Sequence, residues 1–267
     1  SCIPHIINRG AEWFKSIGPE KGPGPRLFCV SGRVNNPGVF EEAMGIPLED
    51  LIFKRAGGIP DGKKLKAVFP GGSSSAILTA DEAMDVIMDF EDLVAKKSML
   101  GSAGVIVMDE TVDMVQACLN IARFYAHESC GQCTPCRWGT PWVRDIVQRI
   151  ADGKGRKTTV ARPKFGITES GRWDDTGETE EIYEDLDLLE SVANNIANVD
   201  TMTWNTICVF GIAVSWPAVS YMRKFRPEFE ACIREGNLVT LPVDEATVSP
   251  EENYAFQQRI VPRELEK

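Results

Sequence analysis

Hydrophobic residues in the second half of the chain recur at the spacing of amphipathic helices. A stripe of valine, leucine and alanine predicts a helix that is capped by Thr111. Thr140 followed by Pro141 predicts the start of a second helix, because proline favours the first helical position. Further helices are predicted over 186–199 and from the Trp-Pro pair at 216–217 onward. The second half is therefore predicted to be a small helical bundle.

The first half alternates apolar and polar residues over short runs that are typical of strands. Residues 26–34 predict one strand, the Asn-Pro-Gly sequence at 36–38 predicts a turn, and 64–69 and 105–108 predict further strands. A short helix is predicted at 47–53, with proline in its first turn. The first half is therefore predicted to be a small α+β unit.

Breaks in these patterns divide the chain into five parts. The glycine- and proline-rich stretch 18–25 follows a predicted helix at 3–17, which has no capping signal before it and is typical of a segment that continues a preceding domain. Residues 152–184 are rich in glycine and charge without periodicity, which predicts an exposed loop. The expected parts are 1–24 (helix and linker), 25–98 (α+β unit), 99–109 (connecting strand), 110–236 (helical domain) and 237–267 (polar tail).

Composition narrows the classes of protein to which the chain can belong. Hydrophobic residues make up 43% and charged residues 25% of the 267 residues, as in globular domains. The net charge of −10 argues against nucleic acid as a partner, since phosphate binding needs a basic face. No apolar run approaches the roughly 20 residues that span a bilayer, and no signal peptide is visible. We therefore expect no nucleic-acid binding and no direct membrane insertion.

Three cysteines at two equal spacings carry the chemistry of the chain. Cys130, Cys133 and Cys136 lie in the sequence ESCGQCTPCR, and Cys208 follows far downstream. Iron–sulfur clusters are held by four cysteine thiolates, often from a C-x2-C-x2-C run and one distant residue. Structural zinc more often uses two separated C-x-x-C pairs or adds histidine, so a zinc-binding scaffold is the alternative. The spacing favours a [4Fe–4S] cluster.

The other cysteines and the glycine-rich stretches are interpreted as structural. Cys2, Cys29, Cys118 and Cys232 lie in apolar or helical surroundings, which predicts buried, inert thiols in a reducing compartment. The Gly-Gly-Ser-Ser-Ser sequence at 71–75 lacks the ending of a phosphate-binding loop and predicts a turn. The chain has only two histidines, and no Ser/His/Asp or Cys/His catalytic arrangement is visible. We predict no catalytic residues in this chain.

Several stretches together resemble one family. They are RGAEWF (9–14), LFCVSGRVNNPGVFE (27–41), FPGGSSS (69–75), SMLGSAGVIVMDE (98–110), ESCGQCTPCR (128–137) and the distant Thr-Ile-Cys (206–208). These stretches are similar to the C-terminal part of the NADH-binding flavoprotein subunit of respiratory complex I. They resemble equally the diaphorase subunits of NAD-reducing hydrogenases and NAD-dependent formate dehydrogenases.

The resemblance implies a fold, a cofactor and a function. It implies an α+β chain in which a small β-grasp-like, soluble-ligand-binding domain (25–98) precedes a four-helix-bundle iron–sulfur domain. It carries over Cys130, Cys133, Cys136 and Cys208 as ligands of the [4Fe–4S] cluster. In this family NADH reduces FMN, and electrons then pass through the cluster toward quinone. The chain is expected to be the electron-transfer part of such an NADH dehydrogenase.

The resemblance also implies partners and a location. The expected partners are the [2Fe–2S] subunit and the subunit that carries the next clusters. FMN and NADH are expected to bind outside this chain's residues, on a flavin domain or a separate flavin-binding polypeptide. The expected location is cytoplasmic and peripheral on the inner face of the cell membrane, or the matrix side in mitochondria. Trp138 departs from the family, which usually has an acidic residue there.

Overall fold

A computed structural model describes residues 2–162, 166–167, 173–174 and 178–235. The predicted polar tail, 237–267, lies outside the described residues. The elements are, in chain order, α1 (Ile3–Arg9), α2 (Ala11–Lys15), β1 (Pro25–Gly32), β2 (Gly38–Ala43), a π-helical turn (Asp50–Arg55), a 3-10 turn (Pro60–Gly62), β3 (Leu65–Phe69), β4 (Leu78–Thr79), α3 (Ala80–Met84), α4 (Phe90–Ala95), β5 (Gly104–Asp109), α5 (Met114–Glu128), α6 (Thr134–Ala151), β6 (Thr158–Arg162), β7 (Gly166–Ile167), β8 (Trp173–Asp174), β9 (Glu178–Ile182), α7 (Glu184–Ile196), β10 (Ala197–Asn198), β11 (Thr203–Trp204), α8 (Phe210–Lys224) and α9 (Arg226–Glu235). The chain is thus of the α+β class, as predicted.

Five strands form one sheet in the first half, in the order β2-β1-β5-β3-β4. The central strands β1 and β5 are parallel, with Val30 opposite Val105, and the other pairs are antiparallel. Side chains such as Phe28, Val68 and Val107 are fully buried or nearly so and make the core of this half. The π-helical turn at Asp50–Arg55 overlaps the short helix predicted at 47–53 and adds Leu51 and Ile52 to that core.

The helices of the second half pack on one another and on the sheet. Helix α5 contacts α6 and α8, α6 contacts α7, and α7 contacts α8. A second core joins these helices to the strands, where Phe69 of β3 packs edge-to-face on Tyr221 of α8 at 5.5 Å between ring centroids. The sheet therefore supports the helices that carry the cysteines.

Three predicted helix starts are wrong. Helix α5 is capped by Asp113, whose carboxylate accepts from the backbone N–H groups of Val115 and Gln116, while Thr111 is hydrogen-bonded to Asp109. Helix α6 begins at Thr134 and α8 at Phe210, so Pro141 and Pro217 lie inside helices. In α6, Pro135 already occupies the first turn, where a missing N–H costs nothing, and the apolar stripe continues past Pro141.

The first predicted helix, 3–17, is divided in two. Gly10, at a φ of +85°, separates α1 from α2. A positive φ is accessible to glycine at little cost and interrupts a right-handed helix. The prediction followed the apolar spacing and missed this break.

The segment 152–184 differs from the predicted loop. Strand β6 pairs with β9 in an antiparallel ladder from Thr158–Ile182 to Arg162–Glu178, and β7 pairs with β8. Just after β9, the fully buried carboxylate of Asp185 accepts from Arg149 Nη2 and Nε at 2.6 and 2.7 Å and from Arg156 Nε at 2.9 Å. Burial alone would raise the pKa of Asp185, but these hydrogen bonds outweigh it and hold the pKa below its ordinary value. This clamp ties α6 to α7.

None of the helices within the described ranges combines the length and the apolar character needed to cross a membrane.

Candidate metal centre

Cys130, Cys133 and Cys136 lie along the turn that joins α5 to α6. Helix α5 ends at Glu128, and the Ser129 N–H donates to the Tyr125 carbonyl at 3.1 Å. Cys133 is the N-cap of α6 in an extended conformation, and Cys136 lies in the first turn of that helix. The chain reverses direction at Gly131, whose positive φ of +67° is accessible to glycine at little cost. The three cysteines therefore wrap the N-terminus of α6.

Cys208 lies in the short connection between β11 and α8. Its carbonyl accepts from the Thr206 hydroxyl at 2.7 Å, which fixes the backbone of this connection. Thr206 in turn packs against Gly211 in the first turn of α8, where a Cβ would come within 2.4 Å of the Thr206 Oγ1. This close approach requires glycine at position 211.

The other three predicted ligands act on Cys136 through their charges. Burial raises the pKa of the Cys136 thiol, a hydrogen bond to Ser129 works against this rise, and the charges of Cys133, Cys130 and Cys208 raise the pKa further. All three other thiols therefore lie close enough to Cys136 to act on its charge. Their burial differs: Cys136 is buried, Cys133 is partly exposed, and Cys130 and Cys208 are exposed.

The donor set fits an iron–sulfur cubane. Four thiolates and no histidine are the donors that such a cluster takes, one on each iron. A single zinc ion would hold its sulfurs at about 2.3 Å from one common point. Within the described ranges, no group of three or more Cys, His, Asp or Glu side chains forms an arrangement that could hold a metal ion. The ligand assignment remains a prediction.

The electrostatic surroundings suit thiolates. The N-terminus of α6 points its free N–H groups and the positive end of its dipole at the cysteine segment. Arg137, which follows Cys136, donates from Nε to the Gly131 carbonyl at 2.5 Å and so lies across the turn. His127 is exposed, and its Nδ1 lies 3.0 Å from the Glu128 carboxylate. Helix and guanidinium both favour negative charge at this site.

Two further contacts at the site cannot be predicted from the spacing of residues along the sequence. The Ser129 hydroxyl lies 3.1 Å from the Cys136 sulfur, although Ser129 directly precedes Cys130. The ring of Tyr125 packs edge-to-face on Phe210, which follows Cys208 by two residues, at 5.7 Å. Both contacts depend on where the chain turns after α5.

Of the four cysteines predicted to be buried and inert, two are. Burial raises the pKa of Cys118 to about 12 and, with nearby carboxylates, that of Cys232 to about 11. Cys29 is exposed and Cys2 is partly exposed, so the prediction is wrong for these two. Cys29 lies on strand β1 where the strand alternates between the buried and the exposed side of the sheet, and its side chain falls on the exposed side.

Large apolar side chains are exposed on α6 and beside Cys208. Trp138 and Trp142 are 56% and 54% exposed on one face of α6, where they line a cavity of about 340 Å³ together with Ile196. Ile207 and Val209, on either side of Cys208, are 77% and 63% exposed. An apolar surface of this kind is typical of a protein–protein contact. We call Trp138, Trp142, Ile207 and Val209 the apolar rim.

Two family descriptions match segments of the chain. Residues 116–167 match the NADH-ubiquinone oxidoreductase-F iron-sulfur binding region, a segment that includes Cys130, Cys133 and Cys136. Residues 26–107 match the SLBB domain, a segment that includes β2, β3 and β4 whole and most of β1 and β5.

Curated relatives agree with the resemblance seen in the sequence. The chain is 40% identical over 235 residues to a subunit of the NADH-quinone oxidoreductase of Rhizobium meliloti, covering 88% of this chain and 48% of that protein. It is 41% identical over 239 residues to the mitochondrial NADH dehydrogenase [ubiquinone] flavoprotein 1 of Dictyostelium discoideum, covering 89% and 43%. It is 40% identical over 236 residues to the mitochondrial NADH-ubiquinone oxidoreductase 51 kDa subunit of Aspergillus niger, covering 88% and 41%. The chain thus spans about half the length of the curated relatives it matches.

A solved structure shares the fold. The chain superposes on an NAD+-reducing [NiFe]-hydrogenase in the H2-reduced state with a TM-score of 0.66 at 27% identity, covering 98% of this chain and 38% of that one. The air-oxidized state gives a TM-score of 0.65 at 28% identity over 86% of this chain and 33% of that one.

Proposed function

Because the chain is related to flavoprotein subunits of NADH dehydrogenases over most of its own length, we propose that it is the electron-transfer part of such a protein. In this proposal the chain holds a [4Fe–4S] cluster that receives electrons from FMN reduced by NADH and passes them toward quinone. The observation that carries the proposal is the match of residues 116–167, which include Cys130, Cys133 and Cys136, to an iron–sulfur binding region. FMN and NADH are assigned to no residue of this chain.

The proposed ligands are Cys130, Cys133, Cys136 and Cys208. When bound, the cluster takes up and releases single electrons. The chain's own contribution is to hold the four thiolates, to shield Cys136 from water, and to offset their negative charge with the N-terminus of α6. With four thiolates available, no iron needs a free position for substrate, which suits an electron carrier.

The proposed domains follow the same relationship. Residues 25–98, with 99–109 as the connecting strand, form the β-grasp-like domain, and α5, α6, α7 and α8 form a four-helix bundle within 110–236. The match of residues 26–107 to the SLBB domain and the mutual packing of the four helices support this division.

The proposed partners are the other subunits of a redox complex. We assign the apolar rim to a contact with a neighbouring electron carrier, namely the flavin domain, the [2Fe–2S] subunit or the subunit that carries the next clusters. The exposure of Ile207 and Val209 on either side of the exposed Cys208 supports this assignment, since a partner docked there would lie beside a proposed ligand. The proposed location is peripheral, on the inner face of the cell membrane or the matrix side of the mitochondrial inner membrane.

Metal analysis and spectroscopy test the proposal. The anaerobically purified chain, reconstituted with iron and sulfide, is expected to hold about four irons per chain and to give an EPR signal on reduction with dithionite. Bound zinc with no iron would support the zinc scaffold and contradict the proposal. The same measurement on the assembled complex, reduced with NADH, tests whether electrons arrive from the flavin.

A diaphorase subunit of an NAD-reducing hydrogenase is the second candidate. The superposition on the NAD+-reducing [NiFe]-hydrogenase favours it, but at 27–28% identity against 40–41% for the relatives from NADH dehydrogenases. Co-purification distinguishes the two, since a nickel–iron subunit in the native complex would identify the hydrogenase.

A further inference from the structure

Ser129 occupies a position at the cysteine site that the ligand motif does not explain. Its hydroxyl oxygen lies 3.1 Å from the Cys136 sulfur. The Gly131 N–H donates to the same hydroxyl oxygen at 3.3 Å. The Ser129 N–H is also fixed, by the Tyr125 carbonyl at the end of α5. The Ser129 hydroxyl is therefore held between the Gly131 N–H and the Cys136 sulfur.

The direction of the hydrogen bond follows from the chemistry of the two partners. A thiolate that ligates iron carries no proton and can only accept. The Ser129 hydroxyl already accepts from Gly131 and keeps its own proton for donation. Ser129 must then donate to Cys136 whenever a metal cluster is bound.

We propose that Ser129 is a positioning residue that raises the reduction potential of the cluster by donating a hydrogen bond to Cys136. The inference deepens the proposed function and rests on it. Reduction adds one negative charge to the cluster and its thiolates, so a donor to sulfur stabilises the reduced state more than the oxidised state. Iron–sulfur potentials respond to hydrogen bonds of this type.

The location of Cys136 makes this hydrogen bond more effective than one at the other ligands. Cys136 is the buried member of the four, while Cys130 and Cys208 are open to water, which competes for hydrogen bonds to their sulfurs. A hydrogen bond is electrostatically stronger where water is excluded. The Ser129 hydroxyl thus acts on the ligand where a protein donor has the largest effect.

A redox titration followed by EPR tests the inference on the reconstituted full chain. In Ser129→Ala, the ratio of reduced to oxidised cluster at a fixed potential is expected to fall by about threefold to tenfold, where tenfold corresponds to about 59 mV for one electron. Ser129→Thr, which keeps the hydroxyl, is expected to stay within about twofold of the wild type. Ser191→Ala, at an exposed position on α7, serves as the matched control and is expected to leave the ratio unchanged.

Three results of the redox titration would contradict either the role of Ser129 or the proposed function. An unchanged potential in Ser129→Ala with full iron content would overturn the inference. Loss of the cluster in both Ser129→Ala and Ser129→Gly, with retention in Ser129→Thr, would assign the hydroxyl to holding the cluster and would also overturn it. A wild-type chain that takes up no iron would instead contradict the proposed function, and this result is read before any variant is compared.

Discussion

The hydroxyl of Tyr125 lies 2.9 Å from the hydroxyl of Ser73, so the last turn of α5 is tied to the turn after β3. The ring of the same tyrosine packs on Phe210 near Cys208, and its carbonyl accepts from the Ser129 N–H. Tyr125 therefore contacts the turn after β3 and both segments that supply cysteines. The turn after β3 thus helps to fix the position of Tyr125, which contacts both cysteine-bearing segments.

Replacing Tyr125 is expected to lower the stability of the fold, and more strongly when the ring is removed along with the hydroxyl. Tyr125→Phe loses only the hydroxyl contact and should lower the free energy of unfolding by about 1 kcal/mol. Tyr125→Ala also loses a buried ring and should cost about 3–5 kcal/mol and reduce the iron content. Urea denaturation monitored by circular dichroism measures both changes in stability, and an iron assay measures the loss of metal.

Ser73, whose hydroxyl contacts that of Tyr125, provides the control for the effect of Tyr125→Phe. Ser73→Ala removes the other end of the same contact, so the double variant with Tyr125→Phe should be less destabilised than the sum of the two single variants. Simple additivity of the two changes would show that the hydroxyl groups do not interact in solution.

Removal of Cys208 is expected to impair cluster binding. Cys208→Ala leaves three thiolates, so we expect a degraded or labile cluster with less iron per chain after reconstitution. Cys2→Ala, at a partly exposed cysteine outside the site, should retain the wild-type iron content. Iron and sulfide assays on the three proteins decide the matter, and equal iron in the wild type and Cys208→Ala would disprove the ligand assignment.

The clamp at Asp185 predicts a loss of stability in acid. Because its folded-state pKa is lowered, the contribution of Asp185 is fully present above the unfolded-state value of about 3.9 and is lost as the pH falls through the folded-state value. Asp185→Asn should cost about 1–3 kcal/mol at pH 7, because a buried amide replaces the carboxylate that accepts from two partly exposed arginines.

Denaturation curves at pH 7 and below pH 4 measure the pH dependence at Asp185. The wild type should lose more stability over this range than Asp185→Asn. Asp187→Asn, two residues along α7 and exposed, is the matched control and should resemble the wild type. A parallel pH dependence in wild type and Asp185→Asn would contradict the assignment.

The contact between Gly211 and Thr206 predicts an unusual effect of alanine. Glycine-to-alanine changes in helices normally stabilise by up to about 1 kcal/mol. Gly211→Ala should instead destabilise the chain and lower its iron content, since the new methyl group meets the Thr206 side chain that holds the Cys208 carbonyl. Thermal denaturation and an iron assay measure the two effects.

A second substitution separates this clash from other effects of Gly211→Ala. Thr206→Ala removes the Oγ1 and Cγ2 atoms that lie closest to the added methyl group, so it should restore part of the stability lost in Gly211→Ala. Stability of the double variant below that of Gly211→Ala would rule out the steric explanation.

The cysteine ligands stay a prediction, whereas the predicted start of the helix that carries Cys136 is wrong. Proline at a helix start is a local signal, and this chain presents it twice, at Pro135 and Pro141. The packing of the whole apolar stripe of α6 decides between them, and a local signal does not contain that information. A helix start at Thr140 would leave Cys136 outside the helix, whereas Cys136 lies inside the first turn of α6.

The contacts of Ser129 and Asp185 could not be predicted for a related reason. Ser129 contacts Cys136 across a turn whose shape depends on the positive φ of Gly131. Asp185 is bound by two arginines, and one of them lies on a different helix. Spacing along a chain predicts which residues share a helix face, but it does not predict contacts between segments that meet only after folding.

The exposure of Cys208 and its distance along the chain from Cys136 have a consequence for assembly. Helix α7 and the paired strands β6 and β9 lie between the two cysteines in the sequence. A cluster bound by both is a covalent cross-link across that whole interval, and closing a long loop in this way restricts the unfolded chain. With the proposed ligands, the site is complete only after the ribosome has released Cys208, so the cluster can be inserted only once α5, α6 and α7 have been synthesised.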